Sequence, residues 1–298
     1  MPRHVTPSLL QHVIHHIANV STTFYPLPSS PASGSCRNIR KVSEYLPVSY
    51  EIAELAQIAK QVFERSEGCY DLTVTPLFDL WGFERHNNRV PTRRQIDQAL
   101  THVGMSHLEI DLRNSRIRKR DPQLQIDLSS IAQGYSVGLV ASLLENHGVQ
   151  NYLVEIGGEV KVKGAKANGK PWRVAVEKPT PYTREVQRIF ELNKKHGTAI
   201  MTAGTYRNFF EDDGKRYSHI IDPRTGRPVR HHLLSVTVLH KDAVWADAWD
   251  TALLCVGETK AQMIAEAEHL KVLLVYGGKR ELKEYMSSAL VAAEELSH

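Results

Sequence analysis

The chain has 298 residues, 42% of them hydrophobic and 23% charged, the balance of an ordinary folded protein, which excludes a collagen-like, wholly disordered or disulfide-stapled chain. The formal net charge of +4 is too weak a field over this length to argue for nucleic acid. No run of 18 apolar residues exists to span a membrane, the N-terminal stretch lacks the apolar segment of a secretory signal, and Cys36, Cys69 and Cys255 are odd in number, far apart and without a CxxC, so their spacing indicates neither a disulfide framework nor a thiolate metal site.

In chain order, residues 1–41 carry a Pro/Ser stretch over 26–35 that reads as loop or disorder. Ile52, Leu55, Ala59, Val62 and Phe63 then recur at helical spacing, with Gly68 as a stop. Thr92 and Gln95 form a capping box ahead of Ile96, Ala99, Leu100 and Val103. A strand pair is expected at 107–111 and 116–120, and a strand at 124–128 that runs into a helix over 130–147. Strand patterns follow at 151–156, 159–163, 172–176, 187–192, 198–202, 216–221 and 235–239, with Asp213-Gly214 as a hairpin turn. Two helices, 243–256 and 259–269, and a closing hairpin, 272–276 with 281–285, complete the pattern. Hairpins mixed with scattered helices point to an α+β fold rather than a doubly wound parallel sheet, and neither GxGxxG after a strand nor GxxxxGK[ST] occurs.

Four segments have residues suited to chemistry. In ADAWDTA, Asp247, Asp250 and Thr251 stand at i, i+3 and i+4 of a largely apolar helix and share one face. Two carboxylates and a hydroxyl are hard oxygen donors suited to Mg²⁺; the alternative is that one Asp caps the helix and the other faces solvent. In IDLSSIAQGY an acidic residue precedes a helix N-terminus, which suits a phosphate, or Ser129 or Ser130 is a plain cap. In SHIIDPRTGRP, His219 leads into an Asp-Pro-x-Thr-Gly turn and could act as a base at a cleft mouth or be structural. GCYDLTVTPL followed by WGF could clasp a flat heterocycle or form core.

Taken together, YDLTVTPLFDLWGF, IDLSSIAQGYSVG, YLVEIGGEVKVKG, WRVAVEKP, TAGTYRNFFEDDGKRYSHIIDPRTGRPV, SVTVL and ADAWDTALLCVG resemble, in order, the words of the ApbE family, the FAD:protein FMN transferases. The resemblance covers about 42–286 as one domain, leaving a divergent segment 1–41 and a tail 287–298. It implies mixed, largely antiparallel sheets with flanking helices, an ApbE-like architecture related to the T-fold. It further implies Mg²⁺-dependent transfer of the FMN half of FAD onto a Ser or Thr hydroxyl of an acceptor protein, typically a subunit of a respiratory electron pump, with release of AMP. Carried over by position, the metal ligands are Asp247, Asp250, Thr251 and the Ser130 carbonyl. FAD contacts are Cys69, Tyr70, Asp71, Asp127, Gln133 and Ile221, and the general base is His219. Family members often work on the periplasmic side of the inner membrane in the cell envelope; Cys36 lacks a preceding apolar segment for lipidation, and a cytoplasmic location is the alternative. Two departures stand out. Gln133 replaces the usual Lys or Glu, and no M-G-T word precedes Val42, from which less complete FAD binding is expected. An FAD pyrophosphatase releasing FMN and AMP, or a non-catalytic FAD-binding protein, are the competing readings.

Overall fold

The computed structural model describes residues 44–83, 87–181, 184–192, 195–277 and 281–295; the Pro/Ser stretch lies outside them. Strand β1 (Leu46–Pro47) leads into α1 (Tyr50–Arg65), capped by the Ser49 side chain on the Ile52 N–H. Helices α2 (Thr75–Trp81) and α3 (Arg93–Leu100) follow, the latter opened by the expected reciprocal Thr92–Gln95 capping box. β2 (Leu108–Asp111) and β3 (Arg116–Lys119) form the expected pair, with β1 on the outer side of β3. Next come α4 (Ser129–Asn146), β4 (Tyr152–Ile156), β5 (Glu159–Lys163) and the hairpin of β6 (Trp172–Glu177) and β7 (Val186–Leu192). β8 (Thr198–Gly204) is followed by the hairpin of β9 (Phe209–Asp212) and β10 (Lys215–Ser218), then the short pair β11 (Ile221–Asp222) and β12 (Arg227–Pro228). β13 (Leu233–His240), α5 (Ala243–Val256), α6 (Glu258–Ala267), β14 (Lys271–Gly277), β15 (Leu282–Met286) and α7 (Ser288–Glu295) close the chain.

The organising element is a six-stranded sheet ordered β15-β14-β13-β8-β5-β4, every pair antiparallel. Side chains alternate across a strand, and here both faces are covered. Ala199, Met201, Val236, Val238, Val272 and Leu274 enter the main core with α1, α4 and α5, while Ile200, Leu239, Leu273 and Val275 meet the β6–β7 hairpin and Leu290 of α7 on the other face. A third, aromatic core joins α2 and α3 to β9–β10 through Trp81, Phe210 and Tyr217. The α+β expectation holds.

Several local expectations fail for stated reasons. Leu124, Ile126 and Leu128 are buried, as an alternating strand would be, but no partner strand lies beside them; they form an extended loop bonded to the rest by single links such as Asp127 N–H to the Leu72 carbonyl at 2.8 Å. Residues 75–81 are helical because Pro76 sits in the first turn, where its missing N–H is harmless. The strand expected over 216–221 breaks at His219, whose N–H goes to the Asn208 carbonyl at 3.0 Å. Within the stretch set aside as a tail, α7 buries Leu290. Cys69 and Cys255, 186 residues apart, form a disulfide, which spacing along the chain could not reveal because the fold, not the sequence, makes them neighbours.

Candidate active site

Helix α5 is capped by Asp242, whose side chain accepts from the Val244 and Trp245 N–H groups. That removes capping as an explanation for Asp247 and Asp250, which point inward at 6% and 1% exposure. Asp247 Oδ2 accepts the Gly134 N–H of α4 at 2.6 Å. Asp250 Oδ1 accepts only the neighbouring Thr251 hydroxyl at 3.2 Å among side-chain donors. A third carboxylate joins them. Glu159 opens β5 just after the Gly157-Gly158 turn and is buried, with the Thr202 N–H on its Oε2 at 3.1 Å. Among the described residues no Lys or Arg forms an ion pair with any of the three.

Burial pushes all three carboxyls up, and their proximity adds to it: Asp250 feels Asp247 and Glu159, and Glu159 feels Asp247. Asp247 is raised to about 7 by burial, tempered by the Gly134 N–H. Buried charges need a counter-charge or a metal, and hard oxygen donors lacking any cationic side chain are the donor set of a small divalent cation.

Beside this cluster opens a cavity of roughly 70 Å³. Its wall gathers Cys69, Tyr70, Asp71, Asp127, Ser130, His219, Ile221 and Thr251, eight of the eleven expected site residues, from four separate parts of the chain. The Tyr70 hydroxyl lies 3.3 Å from the Ser130 carbonyl and 3.1 Å from its Oγ. Burial, ahead of the nearby carboxylates, raises the Tyr70 pKa, so the phenol stays protonated and donates to the Ser130 carbonyl while accepting from the Ser130 hydroxyl. His219 Nδ1 is 3.0 Å from the Asn208 carbonyl. A carbonyl only accepts, so Nδ1 carries the proton and Nε2 keeps its lone pair. Burial holds the imidazole pKa below 6.5 despite that hydrogen bond.

Two expected FAD contacts are placed differently. Asp71 lines the cavity, but its oxygens are taken by the Thr73 N–H and hydroxyl at 2.7 and 2.5 Å and the Met105 N–H at 3.1 Å, so it shapes the loop. Gln133 does not line the cavity; it is exposed and sits under the Gly157 turn, where a side chain on Gly157 would strike its amide. That turn borders a second hollow of about 480 Å³, which Glu159 and Thr202 also line. Sequence reasoning missed Glu159, Cys255, Val74 and Phe78. The signal for Glu159 was an acid directly after two glycines at a strand start; the others read as core.

The ApbE family model matches residues 11–274, including part of the N-terminal stretch set aside above. The chain is 42% identical over 245 residues to an FAD:protein FMN transferase of Salmonella typhimurium, covering 81% of this chain and 69% of that protein. It is 43% identical over 249 residues to a Vibrio cholerae protein of the same name, covering 83% and 73%. Among solved structures it is similar to the flavin transferase ApbE from Vibrio cholerae, with a TM-score of 0.85 and 37% identity over 96% of this chain and 90% of the other.

Proposed function

The chain belongs to the ApbE family, and on that premise we propose that it moves the FMN moiety of FAD onto a Ser or Thr hydroxyl of an acceptor protein, releasing AMP. The observation that carries the reading is a cluster of buried carboxyls without a cationic partner among the described residues, on the helix whose Thr251 lines a cavity with a neutral imidazole in its wall. Asp247, Asp250, Thr251 and the Ser130 carbonyl would hold Mg²⁺, with Glu159 adding negative charge behind them. Bound there, the ion would neutralise the pyrophosphate oxygens as the bridging bond breaks.

The chain's own residues do the rest. His219 Nε2 takes the proton of the acceptor hydroxyl, whose ordinary pKa lies far above neutrality. The hydroxyl oxygen bonds to the FMN phosphorus as the bond to the AMP oxygen breaks. Tyr70 holds the Ser130 carbonyl in place through its phenol, and the fixed walls set by Asp71, Asp127 and Ile221 orient the nucleotide. The acceptor type that fits is a subunit of a respiratory electron pump. A cell-envelope location is supported by the Cys69–Cys255 bond, since disulfides persist in oxidising compartments.

The test is incubation with FAD, Mg²⁺ and an acceptor domain, read by in-gel flavin fluorescence. A fluorescent acceptor band, lost with EDTA, is the expected result. FMN and AMP released with no labelled protein would replace this reading with a pyrophosphatase, and intact FAD would replace it with a binding protein.

A further inference from the structure

Resting on that reading, we propose that the Cys69–Cys255 disulfide is a positioning element of the active site, fastening the FAD-contact loop to the metal helix so that the oxidised protein is the competent form.

The geometry is specific. Cys255 lies one helical turn after Thr251 on α5, and positions i and i+4 share a face. Both residues therefore line the nucleotide cavity. Cys69 immediately precedes Tyr70, whose hydroxyl meets the carbonyl and Oγ of Ser130 in the first turn of α4. The sulfur bridge thus completes a chain of links that runs from Thr251 through Cys255, Cys69 and Tyr70 to Ser130, joining the proposed ligands of two different helices. Among the described residues no hydrogen bond joins segment 68–73 to α5. The loop is held elsewhere: Tyr70 N–H to Ser66 Oγ at 3.1 Å and Asp71 to Thr73 and Met105. Its register against α5 depends on the disulfide and on packing.

Opening the bridge is a two-electron step. One thiolate of a dithiol reductant attacks a bridge sulfur, breaking the Cys69–Cys255 bond and forming a mixed disulfide. The second thiol then displaces the protein sulfur, leaving two protein thiols and a cyclic oxidised reductant. Two sulfurs at van der Waals distance then occupy the wall where one bond stood, and Tyr70 and Thr251 lose their fixed separation.

The experiment titrates FAD in the presence of Mg²⁺, by calorimetry at 25 °C, with the native protein, the same protein after dithiothreitol, and the C69S/C255S variant, all on a C36S background to prevent thiol exchange. Loss of a residue that orients a metal site costs roughly 10- to 100-fold in metal affinity. The Mg²⁺ concentration needed for half-maximal FAD binding is therefore expected to rise about tenfold or more in both opened forms, and reoxidation should restore it. If the cross-link only stabilises the fold, opening it would lower Tm and leave the FAD and Mg²⁺ affinities unchanged, and that result would overturn the proposal, as would free thiols at Cys69 and Cys255 in protein purified without reductant. Because the readout is binding, it is independent of transfer: a protein that bound FAD tightly only when oxidised, yet labelled no acceptor, would remove the transferase reading and leave the clamp standing. Should the double serine variant fail to fold, the reversible dithiothreitol comparison decides alone.

Discussion

At the residue scale, the imidazole of His219 and the carboxylates behind the cavity make opposite demands. A base must be unprotonated, and burial achieves this for His219 by holding its pKa below 6.5. With Mg²⁺ saturating, so that Asp247, raised to about 7 without metal, is held ionised, activity should rise with pH through a limb below 6.5 and be flat through neutrality; kcat/KM measured from pH 5 to 8 checks this, and a limb at or above pH 7 would remove His219 from the role. H219A should lower kcat by roughly 10²- to 10⁴-fold, the usual worth of a general base, with little change in FAD affinity. For the carboxylates, D250N replaces a buried carboxyl that the fold must hold protonated with a neutral amide of nearly the same shape. Without metal the variant should melt higher than the parent, yet lose the upward Tm shift that Mg²⁺ gives the parent; thermal melts with and without Mg²⁺ decide it. Asp247, Asp250 and Thr251 were legible in the sequence because helical period alone puts them on one face. Glu159 was not: its burial arises from a sheet pairing with β8 that no local pattern encodes.

At the element scale, the site exists because α4 and α5 pack closely enough for Gly134 to donate to Asp247. A Cβ on Gly134 would clash with the Ala243 carbonyl and lie 2.6 Å from Asp247 Cβ. G134A should therefore cost about 1–3 kcal/mol, the usual penalty of overpacking, and weaken Mg²⁺-dependent FAD binding more than a surface Gly→Ala change does; urea melts and FAD titration measure the two effects. Elements with their own signals were readable: the Thr92–Gln95 box, the Asp213-Gly214 turn with both residues at positive φ, and the amphipathic helices. Where burial was read as strand, as at Leu124–Leu128, the pattern was right about the inside and silent about a partner, since a ladder is a property of two segments and alternation belongs to one. Helix α2 received no element assignment from the sequence, but the core reading of its aromatic residues holds, since Trp81 is buried with Tyr217 and packs against Phe210.

At the scale of the whole molecule, the acidic cluster makes stability depend on pH in a direction opposite to that of most surface carboxylates. Asp247 is raised to about 7, and Asp250 and Glu159 are raised as well, so the folded state holds protons that the unfolded chain has released. Stability must then fall as pH rises through the folded pKa values. Acids shifted the other way, such as Glu109 held near 2 by Arg120 and Arg118, act only below their unfolded pKa of about 4.5. The depressed histidines His219 and His231 favour folding as pH rises, but only up to about 6.5. As pH rises from 6.5 through about 7, where Asp247 gives up its proton, the cluster therefore dominates: metal-free protein should lose Tm across this window. Saturating Mg²⁺ should flatten the slope, because a bound cation stabilises the ionised carboxylates that otherwise repel, and D250N should flatten it without metal. Calorimetric melts at several pH values, each run with EDTA and with Mg²⁺, measure all three slopes. A metal-free Tm that rises across the window, or identical slopes in EDTA and Mg²⁺, would show that the three carboxylates do not share one buried site, and the cation reading would fall with them.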